Sequence, residues 1–467
     1  MATPISSFLG FLLFSTLVFL CSLKKLEGRE TIESNQLYHS HTVKVISLLP
    51  STICSPSTKD TNKRTSLTVV HKHGPCSQIK QDKAKAPTLD EILREDQSKL
   101  GFDDLRESEA STLPAKSGST VGSGNYVVTV GLGTPKKDLT LVFDTGSDIT
   151  WTQCKPCAKS CYQQKEPIFD PSQSSTYTNI SCSSTSCSQL SSATGNCTSS
   201  STCVYGIRYL DGSFTIGFFG KEKLTLTSND VFNHFLFGCG QNNQGLFNGS
   251  AGLIGLGRNP PSLVQQTAAK YGRVFSYCLP LTSSSTGSLT FGKSARPSSA
   301  IKFTPFSKVT KVTQFYGLDT VGISVAGRKL SIAASVFSNS GTIIDSGTVI
   351  TRLPPTAYSA LKTAFRQAMK NYPLTTPSSL LDKCYNLTKY PTFTVPNISF
   401  SFNGGVDVDL DASRALFFTK VSQVCLAFAA NSDDNSSAIF GNVQQQGLEV
   451  VYDLAGGKVG FGPPGCS

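Results

Sequence analysis

Histidine is scarce in this chain, so catalysts that depend on it have little to work with. The 467 residues include five histidines, and from residue 117 onward the only one is His234. There is no His-Glu-x-x-His metalloprotease motif and no Gly-x-Ser-x-Gly nucleophile elbow. These absences argue against the common zinc-hydrolase and serine-hydrolase arrangements, and acid–base chemistry would therefore fall to carboxylates.

Long basic runs and long apolar runs are also missing, apart from one apolar stretch at the N-terminus. The net charge is +11, but no run of Lys and Arg exceeds two residues, which favours a solvated basic surface over a nucleic-acid site.

The apolar run Ile5–Ser22 is short for a membrane span and predicts a secretory signal peptide over residues 1–28. A plastid transit peptide is the alternative. No hydrophobic tail closes the chain, so we expect no membrane anchor.

Cysteine is comparatively plentiful, with 15 residues in all. Setting aside Cys21, Cys54 and Cys76 leaves twelve between Cys154 and Cys466, an even number that predicts a disulfide framework in a secreted chain. The Cys-x2-Cys-x3-Cys run that begins at Cys154 has a zinc-like spacing, but disulfides are favoured in an oxidising compartment and no metal is expected. Six Asn-x-Ser/Thr glycosylation sequons agree with secretion, and they begin at Asn179, Asn196, Asn248, Asn386, Asn397 and Asn435.

Two short stretches of the chain repeat one pattern. The first reads Leu-Val-Phe-Asp-Thr-Gly-Ser-Asp-Ile-Thr-Trp around Asp144, and the second reads Thr-Ile-Ile-Asp-Ser-Gly-Thr-Val-Ile-Thr around Asp345. In each, an apolar β-prone run ends with an acid on a Gly turn, so a carboxylate is held where a strand gives way to a loop. One copy would be an ordinary turn sequence, but two matching copies in one chain indicate an internal duplication.

On these two motifs the chain resembles the pepsin-type aspartic endopeptidases. In detail it is similar to their plant nepenthesin-like branch, which includes proteases first described as chloroplast nucleoid DNA-binding proteins. The resemblance covers roughly residues 120–467, and a weaker likeness to pro-regions of the same branch runs through Thr65–Gln97. It implies a mostly-β, bilobal pepsin-like fold with few short helices and a cleft between an N-terminal lobe (117–300) and a C-terminal lobe (301–467).

The resemblance also assigns roles around the cleft. Asp144 and Asp345 would be the catalytic pair and would share one proton, because two like charges at such short range cannot both ionise. Neighbouring hydroxyl residues and glycines would hydrogen-bond to the carboxylates and connect the two lobes. These supporting residues are Thr145, Gly146, Ser147, Ser346, Gly347 and Thr348. Flap and substrate-binding positions would be Tyr209, Asp211, Gly212 and Trp151. Leu210 stands where the family usually has Gly, which leaves the flap conformation or the subsite preference open.

Disulfide connectivity cannot be deduced from spacing alone. The family pairing would give Cys154–Cys157, Cys161–Cys239, Cys182–Cys203, Cys187–Cys197, Cys278–Cys466 and Cys384–Cys425.

Local signals give the remaining organisation. Residues 29–116 are polar and poor in aromatics, and we interpret them as a cleavable propeptide; an ordinary flexible extension is the alternative. Within them, Thr88–Gln97 has a capping box and predicts a helix. Two further helices are predicted at Ser262–Lys270 and Thr356–Asn371. By resemblance, apolar-apolar-Gly strands at 251–257 and 438–442 would brace the two Asp residues.

The expected function is that of a secreted aspartic endopeptidase made as a zymogen. It would hydrolyse peptide bonds at acidic pH, with a preference for apolar flanking residues, by activating a water between two Asp side chains. Protein or peptide substrates are expected, without cofactor, as a monomer in the apoplast or vacuole, with the chloroplast as the alternative location. Two other functions stay open: a catalytically silent binding or inhibitor protein on the same fold, and a DNA-associated plastid protease. A glycosidase also uses two carboxylates, but the duplicated motif resembles no glycosidase pattern.

Overall fold

The computed structural model describes residues 39–49, 51–57, 65–79, 126–191, 194–209, 213–245, 247, 249–292, 300–378, 380–420 and 422–464. As predicted, this part of the chain is mostly β. Its strands are β1 Ser40–Lys44, β2 Ser66–His71, β3 Tyr126–Leu132, β4 Lys137–Asp144, β5 Trp151–Gln153, β6 Thr178–Asn179, β7 Gly195–Cys197, β8 Cys203–Arg208, β9 Phe214–Thr227, β10 Asp230–Gln244, β11 Gly252–Gly255, β12 Val274–Cys278, β13 Thr286–Phe291, β14 Lys302–Pro305, β15 Gly317–Leu318, β16 Thr320–Val325, β17 Arg328–Lys329, β18 Thr342–Ile344, β19 Thr351–Leu353, β20 Leu374–Thr375, β21 Cys384–Asn386, β22 Thr392–Pro396, β23 Ile398–Phe402, β24 Val406–Leu410, β25 Leu416–Lys420, β26 Gln423–Leu426, β27 Phe428–Ala430, β28 Ala438–Phe440, β29 Leu448–Asp453 and β30 Lys458–Pro464.

Helices in the described residues are short. The α-helices are α1 Leu263–Gln266, α2 Ala268–Tyr271, α3 Ser335–Ser338, α4 Pro355–Ala368, α5 Ala412–Ala415 and α6 Asn442–Gln445. Single 3-10 turns occupy Val45–Leu48, Pro171–Gln173, Cys187–Gln189 and Thr310–Val312. None of the helices in this part of the chain has the length and apolar character needed to cross a membrane.

Both helices predicted within the described residues are present, with adjusted ends. The helix expected at Ser262–Lys270 begins after the Ser262 cap and stops at Gly272, whose φ of 67° lies in the left-handed region that favours glycine. It is divided at Thr267 into α1 and α2. Helix α4 starts with Pro355 in its first turn and buries one face along its length. The helix predicted at Thr88–Gln97 lies outside the described residues.

A 15-stranded sheet connects the two halves of the molecule. Its order is β14-β30-β29-β12-β13-β2-β3-β4-β11-β5-β10-β9-β8-β7, and β6 pairs with β9 beside this path. Strands from the C-terminal lobe lie at one end of this order and strands from the N-terminal lobe at the other. Three smaller sheets complete the C-terminal lobe, in the orders β15-β18-β28-β19-β27, β17-β16-β23-β24 and β20-β21-β26-β25. The result is the predicted bilobal fold.

Each lobe contains the same crossed arrangement of strands. In the N-terminal lobe β11 pairs in parallel with β4, with Gly255 opposite Asp144, and antiparallel with β5. In the C-terminal lobe β28 pairs in parallel with β18, with Phe440 opposite Ile344, and antiparallel with β19. The strands at 251–257 and 438–442 therefore lie where the resemblance to the family placed them, and the duplicated motif corresponds to a duplicated structure.

Part of the stretch predicted as a propeptide is built into the body of the protein. We call its described residues (39–49, 51–57 and 65–79) the N-terminal segment. Strand β1 pairs with β22 of the C-terminal lobe. Strand β2 inserts between β13 and β3 in the large sheet, and its Val69 is fully buried in the main core. The signal peptide predicted over residues 1–28 lies outside the described residues.

Four of the six predicted disulfide pairings are wrong. The structure forms Cys154–Cys239 and Cys157–Cys161 in place of Cys154–Cys157 and Cys161–Cys239. The reason is the parallel pairing of β5 with β10, which places Thr152 opposite Cys239 and brings the Cα atoms of Cys154 and Cys239 to 5.3 Å.

The insertion between β6 and β8 is also paired differently. It contains Cys182–Cys197 and Cys187–Cys203 in place of Cys182–Cys203 and Cys187–Cys197. Cys384–Cys425 is confirmed, and an additional bridge joins Cys54 to Cys76. Cys278 is disulfide-bonded, but its predicted partner Cys466 lies outside the described residues.

The sequon asparagines that fall within the described residues lie at or near the surface. Asn179, Asn196, Asn386 and Asn435 are exposed, and Asn397 is partly buried. Asn248 lies outside the described residues. Whether any of these carries glycan stays a prediction.

Candidate active site

The two Asp residues of the repeated motif lie at equivalent ends of strands. Asp144 is the last residue of β4, and Asp345 follows β18 directly. Both are buried, at 4% and 6% exposure. Their main chains are bonded to the crossed strands: the Leu256 amide donates to the Asp144 carbonyl at 2.9 Å, and the Asp345 amide donates to the Phe440 carbonyl at 3.2 Å. The folds of the two lobes thus fix the two carboxylates.

Each carboxylate receives the same pair of hydrogen bonds from its own turn. Asp144 Oδ1 accepts from the Gly146 amide at 2.9 Å, and its Oδ2 accepts from Ser147 Oγ at 2.7 Å. Asp345 Oδ1 accepts from the Gly347 amide at 2.8 Å, and its Oδ2 accepts from Thr348 Oγ1 at 2.6 Å. Hydrogen bonds of this kind stabilise the ionised form of a carboxylate.

Thr145 and Ser346 tie the two turns to each other. The Thr145 amide donates to Ser346 Oγ at 3.1 Å, and the Ser346 amide donates to Thr145 Oγ1 at 2.8 Å. Gly146 is required here because a Cβ at this position would lie 2.9 Å from Asp345 Oδ1. The absence of a side chain lets the carboxylate of one lobe approach the turn of the other.

Strands β8 and β9 pair in an antiparallel hairpin, and Tyr209 follows β8 directly. The Tyr209 amide donates to the Ser213 carbonyl at 2.7 Å, and the Tyr209 hydroxyl accepts from Trp151 Nε1 at 3.1 Å. Trp151 is fully buried, and the Phe247 ring packs against both other rings, with its centroid 5.0 Å from that of Trp151 and 5.3 Å from that of Tyr209. Asp211, Gly212 and Leu210 lie outside the described residues, so their predicted places at the hairpin tip stay predictions.

Comparison with known proteins gives a consistent assignment. Family models described as Xylanase inhibitor N-terminal and Xylanase inhibitor C-terminal match residues 126–293 and 315–463. An aspartyl protease family protein of Arabidopsis thaliana is 54% identical over 470 residues, which cover 97% of this chain and 99% of that protein. The chain belongs to the pepsin-like aspartic protease family.

A second relative agrees with this assignment, and a solved structure shows the same fold. Aspartyl protease AED1 of Arabidopsis thaliana is 52% identical over 452 residues, which cover 94% of this chain and 95% of that protein. Among solved structures, conglutin gamma, a basic 7S globulin from lupine seeds, is 21% identical with a TM-score of 0.59. That match covers 73% of this chain and 92% of the globulin, and it shows the shared aspartic protease fold.

A third carboxylate, Asp148, was not singled out from the sequence and lies near Asp144. Asp148 accepts hydrogen bonds from the Asn259 amide at 2.9 Å and from Asn259 Nδ2 at 2.7 Å. Burial raises the pKa of Asp148, the Asn259 bonds oppose that rise, and the charge of Asp144 adds to it. The second motif has Val349 at this position, and that asymmetry between the copies was the available sequence signal.

Sequence reasoning also missed the polar residues after β28. Gln444 donates to the carbonyls of Arg414 and Ala427, and Gln445 donates to the carbonyls of Asp345 and Phe440. Both glutamines are fully buried. The sequence feature that could have indicated them is the run of three glutamines between apolar strands. Amide side chains in such a setting are expected to be buried, and a buried amide needs hydrogen-bond partners.

The sulfur-rich insertion brings three potential metal ligands together. The sulfur atoms of Cys182, Cys187 and Cys197 lie within 4.8 Å of one another. All three are disulfide-bonded. A metal would need free thiolates, so this cluster does not fit one.

Proposed function

We propose that this protein is an aspartic endopeptidase that hydrolyses peptide bonds in acidic surroundings. The observation that carries the proposal is the matched support of two buried carboxylates, Asp144 and Asp345, by equivalent donors from two lobes. The cross-lobe bonds between Thr145 and Ser346 hold the two turns in register. A purely structural pair of carboxylates would not require this duplicated shell.

In the proposed reaction, the dyad carries one proton. The ionised carboxylate takes a proton from a water that lies between the two Asp side chains, and that water attacks the scissile carbonyl directly. The protonated partner polarises the carbonyl oxygen. The tetrahedral intermediate collapses as the leaving amine receives a proton, and no covalent acyl-enzyme forms. The two groups titrate as a unit, so the roles belong to the pair.

An aromatic cluster around Trp151 supports a preference for apolar residues next to the cleaved bond. Trp151, Phe247 and Tyr209 are in contact with one another, and Tyr162 packs against Phe247 at 5.7 Å. Trp151 and Phe247 are buried, so the partly exposed Tyr209 is the ring that would contact an apolar side chain of the substrate, and such a contact favours binding in proportion to the area buried. The hydrogen bond from Trp151 Nε1 holds the Tyr209 hydroxyl at the edge of this cluster.

We further propose that the chain is made as a secreted, monomeric zymogen with residues 29–116 as its pro-region. Support comes from the disulfide bonds, which suit an oxidising compartment. The N-terminal segment is folded onto the body, as a pro-region that assists or restrains its enzyme would be. An acidic optimum follows from the chemistry, since the singly protonated dyad is lost as the pH rises towards neutral.

The test is peptide hydrolysis by the purified, acid-treated precursor. Asp144→Asn and Asp345→Asn should each abolish cleavage of an unfolded protein substrate, and a statine-type transition-state analogue should inhibit the wild type. Asp170→Asn is the matched control, because Asp170 only caps the turn at Pro171–Gln173. Inert but correctly disulfide-bonded wild-type protein would overturn the proposal and favour the silent binding protein. Salt-sensitive retention on DNA would favour the plastid alternative.

A further inference from the structure

Two buried tyrosines occupy equivalent positions in the two lobes. Tyr126 is the first residue of β3, and Tyr316 directly precedes β15. They are 1% and 0% exposed. In each lobe, the residue after the tyrosine pairs with the residue two positions before the Asp of the dyad. These pairs are Val127–Val142 and Gly317–Ile343. The two tyrosines thus belong to the same duplication as the two Asp motifs, and each lies beside the strand that leads to a carboxylate.

Each tyrosine hydroxyl makes a hydrogen bond to the other lobe. The Tyr316 hydroxyl donates to the Leu256 carbonyl at 2.7 Å and lies 3.2 Å from the Gly257 carbonyl. The Tyr126 hydroxyl accepts from Gln446 Nε2 at 2.8 Å. Leu256 and Gly257 follow β11, and Gln446 follows α6, which comes after β28. Both bonds therefore connect one lobe to the segment that follows the crossed strand of the other.

The bond from Tyr316 lies between the main chains of the two Asp residues. The Leu256 amide donates to the Asp144 carbonyl at 2.9 Å, while the carbonyl of the same residue accepts the tyrosine hydroxyl. The Ile344 amide donates to the Tyr316 carbonyl at 3.0 Å, and Asp345 is the next residue. Tyr316 therefore connects the backbone next to one carboxylate with the backbone that holds the other.

Arg258 joins the lobes at the same place. Its Nη1 donates to the carbonyls of Thr313 and Phe315 in the C-terminal lobe, at 2.8 and 2.9 Å. The guanidinium carbon also lies 4.8 Å from the centroid of the Phe306 ring, within cation–π range. The loop before Tyr316 is thus bonded to the same turn of the N-terminal lobe that accepts the tyrosine hydroxyl.

We propose that Tyr126 and Tyr316 are positioning residues, which form a second connection between the lobes and hold the strands of the two Asp residues in register. This connection adds to the bonds between Thr145 and Ser346. The hydroxyls act through main-chain and amide groups, so neither tyrosine is a catalytic residue. Their effect on turnover rests on the proposed function, whereas the connection between the lobes does not.

The first test removes one cross-lobe bond at a time with Tyr316→Phe and Tyr126→Phe, which keep the ring. Each change leaves a buried polar group without its partner, and a shift of one lobe against the other would displace the dyad. We expect kcat for a peptide substrate to fall about tenfold with KM changed by less than about twofold. Because the two variants remove different bonds, a folding defect in one leaves the test to the other.

Tyr358→Phe is the matched control. Tyr358 is 5% exposed, and its hydroxyl donates to the Asp382 carboxylate of the same lobe. This variant loses a tyrosine hydrogen bond without affecting the contact between the lobes, so it should lose stability and keep the wild-type kcat. Thermal unfolding of all three variants would show that they are folded at the assay temperature.

Hydrogen exchange, measured residue by residue by NMR, separates this role from the proposed function. The amides of Thr145 and Ser346 make the other cross-lobe bonds, so their protection reports the register of the lobes whether or not the protein cleaves peptides. Their protection factors should be roughly fivefold to tenfold lower in the two cross-lobe variants than in Tyr358→Phe.

The outcomes are distinct. Lower protection at Thr145 and Ser346, together with an inert wild type, would refute the proposed function and leave the connection between the lobes standing. Protection equal to that in Tyr358→Phe would overturn the proposal. An active wild type whose kcat is unchanged by both cross-lobe substitutions would overturn the positioning role as well.

Discussion

Replacing Thr348 with valine would remove one hydrogen bond from the dyad while keeping the shape of the side chain. Thr348 is fully buried, and its Oγ1 donates to Asp345 Oδ2 at 2.6 Å. Valine fills nearly the same volume but puts a methyl group where the hydroxyl was. The Gly347 amide would still donate to Asp345 Oδ1, so the carboxylate would lose one of its two donors from this turn.

The size of the effect follows from the charge on the acceptor. A hydrogen bond to an ionised group contributes about 1.5–3 kcal/mol, and 1.36 kcal/mol corresponds to one pKa unit. Losing it destabilises the carboxylate relative to the protonated acid, so protonation occurs at higher pH. The acid limb of the kcat/KM profile should therefore move upward by roughly one to two pH units, and activity on that limb should fall about tenfold to a hundredfold.

The assay is kcat/KM for a quenched fluorescent peptide, measured from strongly acidic to neutral pH. Thr342→Val serves as the matched control, because Thr342 is buried at the start of β18, three residues before Asp345, and among the described residues its hydroxyl bonds to that of Thr320 at 2.8 Å. That change should cost about 1 kcal/mol of stability and leave the pH profile in place. If Thr348→Val gave the wild-type profile at full activity, the reasoning that its hydroxyl supports a catalytic carboxylate would be refuted.

Three further predictions concern the flap, the N-terminal segment and the disulfides. Tyr209→Phe should raise KM about fivefold to tenfold and lower the unfolding free energy by about 1–3 kcal/mol, since Trp151 Nε1 loses its acceptor; unchanged KM would contradict the placement of the flap. Burial lowers the pKa of His71 from 6.5 to about 4, so docking of the N-terminal segment is fully stable above pH 6.5 and should weaken by roughly 3 kcal/mol as the pH falls to 4. The protection factors of the β2 amides, corrected for the intrinsic rate at each pH, should fall over that range in wild type and not in His71→Leu, and equal protection factors in the two would count against this. Cys239→Ser opens a loop with a sequence separation of 85 and Cys161→Ser one of 4, so the first should lower the unfolding temperature more; the reverse order would refute the observed pairing.

Much of the candidate site could be predicted from the sequence because its geometry is local. A carboxylate at the end of an apolar strand, followed by a hydroxyl residue and a glycine, can only be held by the turn that follows it. Asp144 and Asp345, with the donors Ser147 and Thr348, were therefore identifiable from the two motifs and the family resemblance. The mostly-β, bilobal architecture was what the resemblance to the family implied.

The disulfide pairing could not be predicted because it depends on contacts between distant strands. Cys154 and Cys239 meet only because β5 and β10 lie in parallel with one particular register. Cys197 and Cys203 are directly opposite each other on β7 and β8, and each bonds to a cysteine of the preceding loop. Neither the strand register nor these pairings can be inferred from the spacing of the cysteines along the chain.

Buried polar partners were missed for a related reason. Nothing near Gln445 in the sequence indicates that its amide reaches the Asp345 carbonyl, since the bond forms only when α6 packs below the dyad. Asp148 was passed over because its counterpart in the second motif is Val349, so the comparison of the two copies gave it no role.

The place of β2 has a consequence for how the chain reaches its native state. Strands β3 and β13 are separated by more than half of the N-terminal lobe in sequence, and in the sheet they are joined through β2. Since β2 precedes both strands, it is available during synthesis as a template on which each can align. Without β2, the facing edges of β3 and β13 would be unpaired after synthesis. Unpaired strand edges promote association with other chains. The position of β2 between β13 and β3 therefore leaves neither of these strands with an exposed edge on that side of the sheet.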